Sequence, residues 1–136
     1  MKTLKEFLQG DRFAQHCGIE LVSLAPGQAV TRMRIEPRHA NAVGLVQGGA
    51  IFTLADYAFA VASNTHGTIA VGINVSITYM KAVTSGTLTA EAREVARNPK
   101  LASYTVNVTD EGGNLIAVFQ GLVYRKRRTI AATPVA

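Results

Sequence analysis

The stretch NAVGLVQGGAIFTLADYAFAVASNTHG, residues 41–67, decides the fold of this 136-residue chain. Its first part is a polar loop with several glycines. The segment that follows, residues 50–63, is rich in Ala, Leu and Phe and contains neither proline nor glycine. A helix that is apolar on nearly every side is normally buried in a protein core. The stretch therefore predicts a long, buried central helix that begins near Gly48.

Asp56 is the one acidic residue within this apolar segment, and no other Asp or Glu occurs between Glu36 and Glu91. An ionised carboxylate in a dry, unpaired site costs several kcal/mol. Asp56 therefore needs either a chemical function or a structural partner. The structural alternative is that it caps a loop or bonds a buried hydroxyl group.

The segments around the central helix predict an α+β fold with an antiparallel sheet of five or six strands. An amphipathic pattern near the amino terminus predicts a helix within residues 1–15. Apolar and β-branched runs separated by turn residues predict strands, and short connections favour antiparallel pairing. These strands are predicted at residues 19–24, 28–35, 69–83, 87–97, 101–109 and 115–125. Residues 1–128 are predicted to form one domain and residues 129–136 a flexible tail.

Composition narrows the class of protein. Hydrophobic residues make up 48% and charged residues 17%, which favours a folded globular domain. The apolar runs are too short for a membrane span and the amino terminus lacks a secretory core, so we expect a cytoplasmic protein without membrane contact. The single cysteine, Cys17, excludes an internal disulfide and a Cys-based metal cluster. His16 and His39 are expected in surface or capping positions, and no metal site is predicted.

The net charge of +5 does not indicate nucleic-acid binding. Four of the positive charges lie in one run, residues 125–128. A nucleic-acid surface would need basic residues spread over one face together with stacking aromatic side chains. The run is therefore expected to be a solvated end of the chain, and the alternative is contact with phosphate groups of an anionic ligand.

Gly48 and Gly49 place unobstructed backbone N–H groups at the predicted helix start, where they can bind a ligand oxygen. Asp56 follows Gly49 by seven residues, which is about two helical turns and roughly 10 Å along the axis. Within one chain, the carboxylate and the helix-start N–H groups can hardly hold the same carbonyl. The spacing therefore predicts a two-fold dimer with composite sites. A carboxylate facing a polarised carbonyl acts either as a general base on water or as a nucleophile.

This arrangement resembles the hotdog-fold acyl-CoA thioesterases, and specifically the PaaI-like branch of the 4-hydroxybenzoyl-CoA thioesterase superfamily. The resemblance covers about residues 15–125 and rests on Asn41, Gly44, residues 47–49, Asp56 and residues 63–64. It implies a hotdog fold and an acyl-CoA thioesterase acting on an aryl- or medium-chain acyl-CoA. Coenzyme A is part of the substrate, and no separate cofactor is implied.

The resemblance also implies residue roles. Asp56 matches the catalytic carboxylate, the Gly48 N–H polarises the thioester carbonyl, and Asn41 lies near the same carbonyl. In family dimers these groups come from opposite subunits, and the dimers pair into tetramers. Further candidates for substrate contact, including contacts with the CoA phosphates, are Gly49, Asn64, Asn74, Lys81, Arg97 and Lys100.

Gln47 departs from the family pattern, which usually has His before the two glycines. Glutamine donates and accepts hydrogen bonds but does not exchange a proton near neutral pH. Ala60 also stands where some relatives have Ser or Thr. These two departures leave open a non-catalytic acyl-CoA-binding module on the same fold. A hydratase or dehydratase is a further alternative, but it would need a histidine beside the acid, and residues 40–65 contain none.

Overall fold

A long helix lies against the inner face of a six-stranded antiparallel sheet in the computed structural model, which describes residues 3–131. The α+β architecture predicted from the sequence is confirmed. In chain order the elements are α1 (Leu4–Leu8), α2 (Arg12–His16), β1 (Ile19–Ala25), β2 (Gln28–Arg34), a 3₁₀ turn (Pro37–His39), α3 (Gly48–Ser63), β3 (Thr68–Tyr79), β4 (Thr87–Arg97), β5 (Leu101–Thr109) and β6 (Leu115–Thr129).

The strand order across the sheet is β1-β2-β4-β5-β6-β3. Consecutive strands joined by tight turns lie side by side, as expected for antiparallel hairpins. The long connection through α3 carries the chain from β2 to β3 at the opposite edge. β1 and β3 are therefore the two edge strands, and α3 packs mainly over β2, β4 and β5.

The core lies between α3 and the inner face of the sheet. Phe59 of α3 contacts two buried aromatic rings, Tyr104 at 5.8 Å and Phe119 at 5.4 Å between centroids. Gly121 of β6 provides the space for this ring, because a Cβ atom there would lie 2.6 Å from the Phe59 ring. Close approach of helix and sheet at this point fixes the position of α3 along the strands.

α3 is not buried on every side, which differs from the prediction. Its sheet-facing side chains are buried, but Thr53, Asp56, Tyr57 and Ala60 are half-exposed on the other face. This difference has a simple cause, since one sheet covers only one side of a helix. The uncovered face of α3 carries the acid.

The amino-terminal segment forms two short helices instead of the single helix predicted within residues 1–15. Gly10 lies between them, and Asp11 begins α2 by accepting the backbone N–H of Ala14 at 3.1 Å. The apolar periodicity predicted a helical face correctly, but it did not indicate this interruption. A capping aspartate after a glycine favours a new helix start over continuation of the old one.

At the other terminus, β6 continues to Thr129, and Ile130 is buried with its N–H donating to the Gly67 carbonyl at 3.0 Å. Strand structure thus reaches past residue 128, where the tail was predicted to begin. Residues 132–136 of that predicted tail lie outside the described part of the chain. β3 is shorter than predicted and ends at Tyr79. Within residues 3–131, no helix has the length and apolarity needed to cross a membrane.

Candidate active site

An open cleft of about 720 Å³ lies on the uncovered face of α3. Its wall includes four of the residues that the sequence analysis singled out: Asn41, Gln47, Gly49 and Asp56. The loop before α3 supplies the first two, and α3 itself supplies the others. The structure therefore brings together in one chain most of the predicted catalytic group.

The Asp56 carboxylate opens on this cleft. Among residues 3–131 it has no hydrogen-bond or ion-pair partner, so the structural roles considered for it, a cap or a bond to a buried hydroxyl, are not seen. Burial raises the pKa of the Asp56 carboxyl above its ordinary value, and the nearby Asp11 carboxylate raises it further. A raised pKa at an unpaired acid in a cleft is typical of a group that accepts or transfers a proton.

Gln47 is the N-cap residue of α3. Its side-chain oxygen accepts the Gly49 N–H at 3.0 Å, and its own N–H donates to the His39 carbonyl at 2.7 Å. Gly49 must lack a side chain here because a Cβ atom would collide with the Gln47 carboxamide. The Gly49 N–H is therefore already bonded by the Gln47 side chain and is not available to a ligand. The Gln47 NH₂ group remains available as a donor at the cleft.

Gly48 does not line the cleft and instead faces β3. The Tyr79 hydroxyl donates to the Gly48 carbonyl at 2.8 Å, and a Cβ atom on Gly48 would lie 3.0 Å from the Tyr79 ring. The Gly48 N–H has no hydrogen-bond partner within residues 3–131. It is thus an open donor at the positive end of the helix dipole, on the side of α3 next to the edge strand.

Asn41 organises the loop that precedes α3. Its side-chain oxygen accepts the backbone N–H groups of Val43 and Leu45, both at 3.0 Å. With the oxygen engaged in this way, the side-chain NH₂ group is the part left for a ligand. Asn41 can therefore donate a hydrogen bond in the cleft but not accept one through its side chain.

His39 lines the same cleft, although residues 40–65 contain no histidine. The Glu36 N–H donates to Nδ1 at 2.9 Å, and Nε2 lies 2.8 Å from the Cys17 carbonyl oxygen. Because an N–H only donates and a carbonyl only accepts, the ring must carry its proton on Nε2. Both ring nitrogens are thereby engaged with backbone, so His39 has the predicted capping role. The buried ring is not free for proton transfer, which the hydratase alternative would need.

Four predicted substrate contacts lie away from this cleft. Asn74 pairs with Leu122 on the outer, solvated face of the sheet. Lys81 is exposed near Asp110. Arg97 contacts the His66 ring, and Lys100 is exposed in the adjacent turn. The last two lie at the carboxyl-terminal end of α3, far along the strands from the helix start.

Asn64 has a structural position instead of the predicted substrate contact. It is 3% exposed. Its side-chain oxygen accepts the Ala70 N–H at 3.0 Å, and its NH₂ group donates to the Ala60 carbonyl at 2.8 Å and to the Ala70 carbonyl at 3.3 Å. Asn64 therefore joins the end of α3 to the start of β3, and no polar atom of its side chain remains for a ligand.

Replacing Asn64 by Ala is expected to lower the free energy of unfolding by about 1–3 kcal/mol, because the buried Ala70 N–H loses its acceptor. Urea denaturation measures this loss. The exposed Asn107→Ala variant is the matched control and should unfold like the wild type. If Asn64→Ala instead kept its stability and raised KM for a thioester substrate, Asn64 would be a substrate contact after all.

Sequence reasoning missed several cleft residues: Phe13, Cys17, Arg38 and Phe52. The Phe52 ring packs edge-on against the Phe119 ring at 5.4 Å between centroids. Its spacing of four residues from Asp56 is a signal that could have placed it on the same helical face. No local sequence pattern indicates the other three as cleft residues. They lie at the cleft only because of where the tertiary structure places α2 and the 3₁₀ turn.

Comparisons with known proteins identify the family of this chain. The sequence model of the Thioesterase superfamily matches residues 43–117. A protein of Archaeoglobus fulgidus, whose name gives only a provisional esterase assignment, is 40% identical over 92% of this chain and 82% of its own length. Acyl-coenzyme A thioesterase PaaI of Escherichia coli is 31% identical over 90% of this chain and 88% of its own.

Among solved structures, the E. coli PaaI protein from the phenylacetic acid degradation operon superposes with a TM-score of 0.88. The two sequences are 28% identical in that alignment, which covers 92% of this chain and 91% of the other. The similarity thus extends over nearly the whole of both chains.

Proposed function

The chain belongs to the Thioesterase superfamily as a PaaI-like hotdog thioester hydrolase, and on this premise we propose that it hydrolyses an aryl- or medium-chain acyl-CoA with Asp56 as the acting carboxylate. The observation that carries the proposal is the unpaired Asp56 carboxylate on an open cleft beside a helix start. Coenzyme A enters as part of the substrate. No group of three or more His, Cys, Asp and Glu side chains suited to a metal ion occurs among residues 3–131.

In the proposed reaction the Gly48 N–H donates to the thioester oxygen and stabilises the charge that develops there. Asp56 either takes a proton from water as the water oxygen adds to the carbonyl carbon, or it adds to that carbon itself to form a mixed anhydride. In both routes the carbon–sulfur bond breaks and the sulfur leaves as the CoA thiolate. The thiolate takes up the proton held by Asp56 in the first route and a proton from solvent in the second. In the second route water then hydrolyses the anhydride, so both give a carboxylic acid and free CoA.

We place the two acting groups on different subunits. Asp56 lines the cleft, whereas Gly48 faces β3, and the two are about two turns apart on α3. A second copy would bring its own Asp56 to this Gly48. The open Gly48 N–H beside the edge strand supports that arrangement.

The edge strand β3 is the proposed contact between the two copies. Within residues 3–131 it pairs only with β6, and it exposes apolar side chains, among them Ile73 at 54% and Val75 at 38%. A long apolar edge strand is a template for pairing with another chain. Antiparallel pairing of two β3 strands about a two-fold axis would set the two α3 helices side by side in opposite directions. A dimer-of-dimers tetramer and a cytoplasmic location stay predictions.

Mixing two inactive variants tests this composite site. One carries Asp56→Asn and the other Gly48→Pro, which removes the Gly48 N–H. After refolding together, about half of the dimers contain one copy of each variant, and one of their two sites has both native groups. Hydrolysis should therefore return to roughly a quarter of the wild-type rate.

Release of free thiol from a panel of aryl- and medium-chain acyl-CoAs measures the recovery. Each variant refolded alone is the control. If the mixture were no more active than its components, the two groups would act within one chain. If the wild type hydrolysed no member of the panel, the proposed substrate class would be wrong.

A further inference from the structure

A second, polar pocket of about 570 Å³ lies beside the cleft, and Arg38 lines both spaces. Its other lining residues come from the amino-terminal segment: Gln9, Arg12, Gln15 and His16. The wall thus holds two guanidinium groups, two amides and an imidazole, and it contains no carboxylate. This composition differs from that of the cleft, which contains Asp56.

Helix α2 separates the two spaces. Phe13 and Cys17 face the cleft, whereas Arg12 and His16 face the polar pocket. Each pair is four residues apart, so each forms one stripe along the helical turn. Arg38 lies against the carboxyl-terminal end of α2, where its Nη1 donates to the His16 carbonyl at 2.6 Å. The two spaces therefore adjoin each other at Arg38.

The acidic groups near the pocket are directed elsewhere. Glu36 pairs with Arg38, at 3.3 Å from its Nε, but lies outside the pocket wall, and the Arg38 side chain remains 48% exposed. Asp11 caps α2 and acts on Asp56. The Arg12 guanidinium has no ion-pair partner within residues 3–131. It is therefore available to an anion from solution.

We propose that this pocket binds the phosphate groups of the CoA moiety while the thioester lies in the cleft. The proposal rests on the proposed function and names the part of the substrate that Arg12 and Arg38 recognise. Guanidinium groups bind phosphate through paired, charge-assisted hydrogen bonds. The Gln9 side chain adds an NH₂ donor, whereas the Gln15 NH₂ group already donates to the Gln9 carbonyl at 2.7 Å. In this chain Arg12 and Arg38 lie beside the cleft, whereas Arg97 and Lys100, the contacts expected from the sequence, lie at the far end of α3.

The kinetic test compares two substrates that share an acyl group but differ in phosphate, an acyl-CoA and the acyl-pantetheine. In Arg12→Ala, the KM for the acyl-CoA divided by the KM for the acyl-pantetheine should rise about tenfold. The reason is that only the acyl-CoA loses a hydrogen bond between its phosphate and a charged group. Arg12→Lys, which keeps the charge, should recover part of the loss. The exposed Arg34, outside the pocket wall, gives the matched control Arg34→Ala, which should leave the ratio unchanged.

Calorimetry with adenosine 3′,5′-bisphosphate gives a readout that does not depend on hydrolysis, so it tests the pocket even if the proposed function fails. Its affinity should fall about tenfold in Arg12→Ala. Inorganic phosphate serves as the second probe and should bind much more weakly. Equal binding of the two probes would assign the pocket to free phosphate and overturn the proposal. An unchanged KM ratio in Arg12→Ala, or a rise confined to Arg97→Ala or Lys100→Ala, would overturn it as well.

Discussion

Asp56→Asn is expected to lower kcat for acyl-CoA hydrolysis by about 10²–10⁴-fold, the usual contribution of a positioned acid or base. Asparagine preserves the size of the side chain, but it cannot take a proton from water or add to a carbonyl. KM should change little, because the rest of the cleft is intact. Steady-state thiol release measures both constants, and a kcat within threefold of the wild type would remove Asp56 from the reaction.

The same substitution should not destabilise the fold. The pKa of Asp56 is raised in the folded chain, so ionisation of this group lowers the free energy of unfolding as pH rises through the ordinary and then the raised value. Asparagine has no such cost. Asp56→Asn should therefore melt at or above the wild-type temperature at neutral pH, and the difference should vanish at a pH below the ordinary pKa of aspartate.

The pH profile supplies the control for this first prediction. If the ionised carboxylate acts, kcat/KM falls as pH drops through the raised pKa of Asp56. Because Asp11 contributes to that rise, Asp11→Asn should move the acid limb of the profile to lower pH. Asparagine caps helices as well as aspartate does, so α2 should be retained. An acid limb that does not move in Asp11→Asn would show that another group sets it.

The second large effect is expected at the helix start. Gly48→Pro removes the open N–H and should lower kcat by about 10²–10³-fold, as the loss of one oxyanion donor usually does. Proline suits the first position of a helix. The residue before it, Gln47, already has the extended conformation that a following proline requires, with φ −64° and ψ 135°.

Gly48→Ala is the matched control. Both variants place a Cβ atom close to the Tyr79 ring, but only proline lacks the N–H. The ratio of their kcat values therefore isolates the hydrogen bond. Equal rates for the two variants would mean that Gly48 acts through packing against Tyr79 and not through its N–H.

Local sequence patterns predicted the elements well because their causes are local. Residues 87–97 and 101–109 were predicted as strands with the same bounds that β4 and β5 have in the structure. Alternating apolar residues and the intervening Asn-Pro turn are sufficient for that prediction. The prediction of a single amino-terminal helix was wrong. A capping group such as Asp11 acts over only three residues, and it starts a new helix within an otherwise periodic pattern.

The sequence also identified Asp56 as exceptional, since an acid in an apolar helix is visible without any coordinates. It also made both Asn64 and Asn74 candidates for substrate contact, and neither of them lines the cleft. The orientation of the Asn64 side chain depends on its hydrogen bond with Ala70, across the turn between α3 and β3. The face of the sheet on which Asn74 lies depends on an irregularity next to it in the pairing of β3 with β6. Such an irregularity changes which face later residues occupy, and alternation along one strand does not reveal it.

The sequence by itself thus determined the central helix, its acid, its glycine start and the succession of strands along the chain. Only the tertiary structure decided which distant residues share a wall with that acid. His39 reaches the cleft by bonding the Cys17 carbonyl, and Arg38 joins two pockets by bonding the His16 carbonyl. These contacts join segments 22 residues apart, and they depend on where β1 and β2 place α2 against α3. Periodicity and turn propensity act within one segment, so they carry no information about that placement.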